Sequence, residues 1–205
     1  MMFFALSCSS NIGDAFLYVV GIANYDYDNR GIPLYTEVTN TGVSYTNFRT
    51  DEFYISIESI KIKSREKDWV SVFESSFSYP QNYVNSFNLV NGVVVPATEY
   101  NVILIGYRAN WYVVSGSTRV SNSTSQTIYY AAFYNDVSLF NEVSNRIKNI
   151  FSSVFWNSSF FLFAGETKWL YLYFDTENIL KGLTNHSGII IDYCFIPPKF
   201  YIELR

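Results

Sequence analysis

The chain has 205 residues, of which 49% are hydrophobic and 20% aromatic, enough for one large β-domain with a real core. Only 16% are charged, with 14 Lys and Arg against 18 Asp and Glu, so the formal net charge is −4. That balance excludes the basic footprint a phosphate backbone requires, and no apolar run approaches the roughly 18–20 residues of a membrane helix. With so few charges, the surface has to be built from Asn, Ser, Thr and Tyr, neutral groups that keep their hydrogen bonds when carboxylates protonate below about pH 4.

The opening residues, Met1 to Cys8, are an oily tip without Lys or Arg. They have neither the basic start nor the apolar length, roughly 7–15 residues, of a secretory signal, so they are expected to stay on the chain. A strand-length apolar segment invites pairing in water. It is either the first core strand of its own domain or a strand given to a neighbour, as in β-strand addition. The second reading makes Met2, Phe3, Phe4, Ala5 and Leu6 a donor strand, with Phe3, Phe4 and Leu6 as anchors and Ala5 in a tight spot. The polar joint 9–14 then acts as a hinge, dividing the chain into a donor strand and hinge (1–13) and a β-sandwich domain (14–205).

Ala15 to Ile22 reads as the first strand of the domain, followed by a loop rich in Asp, Asn and Gly. Leu34 to Thr39 and Val43 to Phe48 form a predicted hairpin. In Asp51 to Lys63 the apolar set runs Phe53, Ile55, Ile57 and then changes phase to Ile60 and Ile62, which requires a bulge near Glu58-Ser59. Trp69 to Phe73 and Val84 to Val90 follow as strands. Asn91-Gly92 carries a two-residue hairpin signal before Val93 to Val95, and Pro96 ends that ladder. Tyr100 to Tyr107 is apolar on both faces, as a central strand should be. Trp111 to Val114 and Gln126 to Tyr134 continue the sheet.

One segment has helical spacing: Val137, Phe140, Val143, Ile147 and Ile150, with Asp136 or Asn135 placed to cap it and close one end of the sandwich. Phe160 to Ala164 and Thr167 to Phe174 make a predicted hairpin around Gly165-Glu166. Glu177 to Lys181 suits one helical turn, Gly188 to Ile196 a last core strand and Lys199 to Leu204 an edge strand.

Three sequons lie beside predicted turns, headed by Asn122, Asn157 and Asn185. Chance supplies about two or three in a chain so rich in Asn and Ser, but their loop placement favours N-glycosylation. Cys8 and Cys194 suit a disulfide in an oxidising exterior, and equally two buried free thiols. The single histidine, His186, sits in a turn with no nucleophile or acid at triad spacing, and one His with two Cys cannot build a common zinc site. Carboxylates such as Glu52, Glu58 and Asp175 can be assembled into almost any glycosidase pair, which leaves no specific signal. No phosphate loop, nucleophile elbow or cofactor motif occurs, so neither enzyme activity nor a cofactor is expected. Tyr25, Tyr27, Trp111, Tyr112, Tyr171 and Tyr173 could stack on sugars, or pack against their strand neighbours.

Phe16 to Gly21, Phe53 to Ile62, Trp69 to Phe73, Phe87 to Gly92 and Pro96 to Leu104 together resemble secreted, transthyretin-like β-sandwich domains across about half of the chain. Residues 108–205 read as additional strands. With the oily arm, the sequons and the sparse charge, the chain resembles the archaeal thread family, subunits of a glycosylated surface filament. That resemblance implies an extracellular homopolymer in which each leading strand fills a groove in the next copy, with covalent Lys–Asn links between subunits as a further feature. Lys61, Lys63, Lys168 and Lys199 lie on or beside strands and are the candidates for such links. The expected fold is an all-β, immunoglobulin- or transthyretin-like sandwich with one short helix. The other readings are a monomeric cell-surface adhesion or carbohydrate-binding module and an archaeal virus capsid or spike protein.

Overall fold

Two β-sheets face each other and bury the alternating apolar residues of the chain between them. The computed structural model describes residues 13–23, 32–33, 45–48, 51–75, 81–82, 87–121, 127–158, 160–175, 180–185, 187, 189–195 and 199–205. Met2–Leu6, read above as a donor strand, Cys8, Asn122, His186 and the predicted strand at Leu34 to Thr39 lie outside these residues.

In chain order the strands are β1 (Asp14–Ala23), β2 (Ile32–Pro33), β3 (Tyr45–Phe48), β4 (Glu52–Lys63), β5 (Val70–Glu74), β6 (Gln81–Asn82), β7 (Phe87–Pro96), β8 (Glu99–Tyr100), β9 (Val102–Ser115), β10 (Thr118–Ser121) and β11 (Ile128–Tyr134). Helix α1 (Val137–Arg146) follows, then β12 (Ile150–Phe155), β13 (Phe160–Phe161), β14 (Thr167–Asp175), β15 (Leu180–Thr184), β16 (Ile190–Phe195) and β17 (Lys199–Leu204). One main sheet runs β2-β17-β14-β1-β7 and the other β12-β11-β9-β4-β5, with β10 added to β9 and β6 to β4. Along the flanks β7 lies against β5, and β2 against β12. The fold is an all-β sandwich with one short helix.

Period-two patterning sorts the faces. On β1, Ala15, Leu17 and Val19 are fully buried while Asp14 and Phe16 are exposed. Leu170, Leu172 and Phe174 of β14 join them from the same sheet, and Ile55, Ile60, Ile103, Ile105 and Tyr107 meet them from the other. Each buried Leu, Ile, Val or Phe among them contributes about 1.5–3 kcal/mol by leaving water. The central reading of Tyr100 to Tyr107 holds from Val102 on, where β9 lies between β4 and β11 and Val102 to Tyr107 are all buried, while Tyr100 belongs to β8. Trp111 to Val114 belong to this same 14-residue strand.

The phase change in β4 is a bulge where the spacing predicts it. Ile57 pairs with Tyr107 and Ser59 with Gly106, so Glu58 has no register partner on β9. Opposite it the ladder is tight: a Cβ on Gly106 would lie 2.6 Å from Ser59 Oγ and 3.0 Å from Tyr130 Cε1. Asn91-Gly92, by contrast, is no hairpin. Both residues lie inside the continuous strand β7, where Leu17 pairs with Val93 and Val19 with Val90, leaving the two opposite Tyr18. Gly92 has φ +83°, a conformation that serves a bulge as well as a turn.

The chain crosses between sheets after Pro96. Tyr100, fully buried, donates its hydroxyl hydrogen to the Pro96 carbonyl at 2.8 Å and so fastens the corner between β7 and β9. This is the device of a tyrosine corner, in which a buried phenol holds the backbone a few residues upstream.

Asp136 caps α1, accepting from Leu139 N at 3.0 Å. The cap sets the phase, and the buried stripe is Leu139 and Val143, packed on Val102 with Trp69 and Ile147 beside them. Val137, expected inside, is 53% exposed, and Ile150 begins β12. The helix covers one end of the seven-stranded sheet and provides the crossover that lets β11 and β12 pair in parallel.

Two further expectations change. Phe160 pairs with Tyr100 of β8, whereas β14 pairs with β1 and β17, so Gly165-Glu166 turns the chain between sheets instead of closing a hairpin. The segment read as a last core strand is β16, which lies at the rim of the small sheet β16-β15-β3. Lys181, read as helical, is in β15.

Candidate functional site

Among the described strands β16 pairs only with β15 and so forms one rim of the small sheet β16-β15-β3. Ile189 and Ile191 are 62% and 61% exposed there. The β15–β16 turn is closed by Asn185: its Oδ1 accepts from Ser187 N at 2.9 Å and Ile189 N at 3.0 Å, and its own N–H donates to the Ile189 carbonyl at 3.0 Å. Asn185 is exposed, and the two bonds its side chain accepts both use its oxygen. Cys194 occupies β16 in register with Lys181.

A second feature is a polar cleft of about 590 Å³ at the start of α1, lined by Arg65, Asn101, Asn135, Asp136, Phe155 and Asn157 among others. Its walls are tied together. Arg65 N donates to Asn101 Oδ1 at 3.1 Å, Asn101 Nδ2 to Asn135 Oδ1 at 3.1 Å, and Asn135 Nδ2 to the Ser158 carbonyl at 3.0 Å. The Arg65 guanidinium also pairs with Asp136, with Nε at 3.0 Å from Oδ2. Burial alone would raise the Asp136 carboxyl, but the Leu139 N–H and Arg65 outweigh it and hold the group below its ordinary value. Asn157 sits exposed on the rim.

The outer face of the β1–β14 sheet carries an aromatic ladder. Tyr18 stacks on Trp169 with centroids 4.5 Å apart, and Trp169, Tyr171 and Tyr173 follow along β14 with neighbouring planes within 27° of parallel. Arg205 lies over Tyr171 at 4.9 Å. The rings turn their faces to one another, so Tyr171 and Tyr173 serve cross-strand and same-face packing better than sugar stacking. Tyr112 is used similarly: it stacks on Tyr54 at 4.1 Å and carries Arg119 on its ring at 3.8 Å. Tyr25 and Tyr27 lie outside the described residues.

Three of the four lysines read as crosslink candidates have polar neighbours in the structure, and the side chain of Lys199 lies outside what it describes. Lys61 is 3.5 Å from Glu74, Lys168 is 3.0 Å from Glu166, and Lys63 donates to the Lys67 carbonyl at 2.9 Å. Among the described residues no group of three His, Cys, Asp or Glu side chains converges as metal ligands would, and no helix is long and apolar enough to cross a membrane.

Phe155, which the sequence did not single out, lines the cleft with Asn157 and is 49% exposed. Comparison with protein-family models, curated proteins and solved structures finds no match to this chain.

Proposed function

We propose that this chain is an extracellular structural subunit, a β-sandwich that polymerises head to tail by strand addition and has no catalytic function of its own. The observation that carries the reading is the β16 edge, unpaired among the described strands and flanked by exposed Ile189 and Ile191, in a chain whose first residues are apolar and strand-length. An incoming Met2–Leu6 segment from another copy supplies the missing ladder, and Phe3, Phe4 and Leu6 each gain about 1.5–3 kcal/mol on burial. Cys8 would arrive near Cys194, giving a disulfide between subunits in an oxidising exterior. N-glycans at Asn122, Asn157 and Asn185 would dress a surface poor in charge. These features together resemble the archaeal thread family, and a surface-filament subunit of that kind is the function proposed.

Ile191→Lys tests the edge. A charge on an exposed strand edge blocks pairing while leaving the core untouched. The variant is expected to melt like the parent and to form no filaments in negative-stain images. Filaments of normal length and abundance from Ile191→Lys would remove β16 as the acceptor.

A further inference from the structure

We infer that Phe155 and Asn157 form one glycan-seating unit, in which the ring of Phe155 is the platform for the first sugar attached to Asn157 Nδ2. The inference rests on the extracellular reading above and adds a defined place and partner for one modification.

The alternation at the end of β12 supplies the geometry. Phe155 is exposed, Trp156 is half-buried against the core with its ring 6.0 Å from Phe160, and Asn157 is exposed again. Phe155 ends β12 and Asn157 follows two residues later, and both are exposed and line the same cleft. The ring is held. It meets Tyr134 in a T-shaped contact at 5.7 Å and 74°, and Tyr134 in turn stacks on Phe140 at 4.1 Å and 8°. Trp156 N donates to the Tyr134 carbonyl at 2.6 Å and Asn135 Nδ2 to the Ser158 carbonyl at 3.0 Å, which fixes the backbone on both sides of Asn157.

A fixed, half-exposed phenyl ring beside an acceptor asparagine suits a pyranose. The C–H-bearing face of the sugar carries partial positive charge and meets the negative ring face, while its hydroxyl and acetamido groups reach the polar cleft lined by Asn101, Asn135 and Asp136. The other two sequons lack this arrangement in sequence: the residues two before Asn122 and Asn185 are Val120 and Leu183.

The modification itself is a glycosyl transfer from a lipid-pyrophosphate-linked oligosaccharide, catalysed by a separate transferase. The Nδ2 nitrogen of Asn157 forms a bond to the anomeric carbon, the bond from that carbon to the phosphate oxygen breaks, the lipid pyrophosphate leaves with the electron pair, and the amide gives up one proton. No oxidant or reductant is needed.

The test is a set of variants produced in an archaeal host that N-glycosylates, with site occupancy read by peptide mass spectrometry and stability by melting. Asn157 is expected to be occupied, and Asn157→Gln to lower Tm by about 2–4 °C in the parent. The same substitution is expected to change nothing in Phe155→Ala or Phe155→Leu backgrounds, and to have its effect again in Phe155→Tyr, where a ring is restored. Equal losses in all backgrounds overturn the inference. An unmodified Asn157 beside glycosylated Asn122 or Asn185 also overturns it while leaving the extracellular reading intact, whereas no sugar at any of the three sinks both.

Discussion

The Glu58 carboxylate accepts from Arg108 Nε at 2.6 Å, joining the bulge residue of β4 to the neighbouring strand β9. Glu58 is skipped by the β4–β9 ladder between Ile57 and Ser59, and without that skip Ile60 and Ile62 would point away from the core that Ile55 and Ile57 enter. The side chains of Arg108 and Glu58 are only 17% and 10% exposed, so the pair is poorly solvated.

Arg108→Met should therefore destabilise the fold by about 2–4 kcal/mol, because it leaves a carboxylate with little water and no cation. The double variant Arg108→Met with Glu58→Leu should recover most of that loss. Urea unfolding measures both, and a single variant as stable as the parent would show the pair to be ornamental.

Gly106→Ala should cost about 1–3 kcal/mol, since its methyl group meets Ser59 Oγ at 2.6 Å. Adding Ser59→Ala removes that atom and should return part of the stability, leaving the milder contact with Tyr130. Gly116, with nothing within 4 Å of an added Cβ, is the control for which only its φ of +55° matters. Thermal melts of the four proteins decide.

Burial pushes the Tyr100 hydroxyl up to about 12, from 10.0. The folded value lies above the unfolded one, so the native state favours the protonated phenol, and stability complete below pH 10 is lost as pH climbs from 10 toward 12. Tyr100→Phe should cost about 1 kcal/mol at neutral pH through the lost bond to the Pro96 carbonyl and then fall less steeply in alkali. Parallel Tm curves for parent and variant above pH 10 would contradict this.

Asp136 moves the opposite way. Its folded carboxyl titrates below the ordinary 3.8, so its contribution is present above that value and lost as pH falls through the folded one. Asn caps as well as Asp but does not ionise, so Asp136→Asn should be closest to the parent at low pH and fall behind at neutral pH. Asp136→Ala should lose about 1 kcal/mol at pH 7 with the cap. Equilibrium unfolding at pH 3 and pH 7 checks the sign.

The bulge at Glu58 could be read because two isoleucine pairs on opposite phases leave no other way to reach one core. Asn91-Gly92 could not, because glycine at positive φ serves a turn and a bulge alike, and only the presence of Tyr18 opposite decides between them. The run from Gly188 to Ile196 has the apolarity of a core strand, yet its position at a rim depends on what β15 and β3 do elsewhere in the chain. The helix was legible in its cap, while its buried stripe shifted to Leu139 and Val143 because Asp136 sets where the first turn begins. Site residues followed the same division: the sequon at Asn157 is visible in the letters, whereas the cleft beside it needs Arg65, Asn101 and Asn135, brought together from distant strands.

The most direct measurement compares the full chain with a variant lacking residues 1–8, by sedimentation and negative-stain imaging at equal concentration. The account predicts linear oligomers from the full chain and folded, unassembled monomers from the truncated one. A monodisperse full-length monomer, or filaments formed equally by the shortened protein, would contradict it.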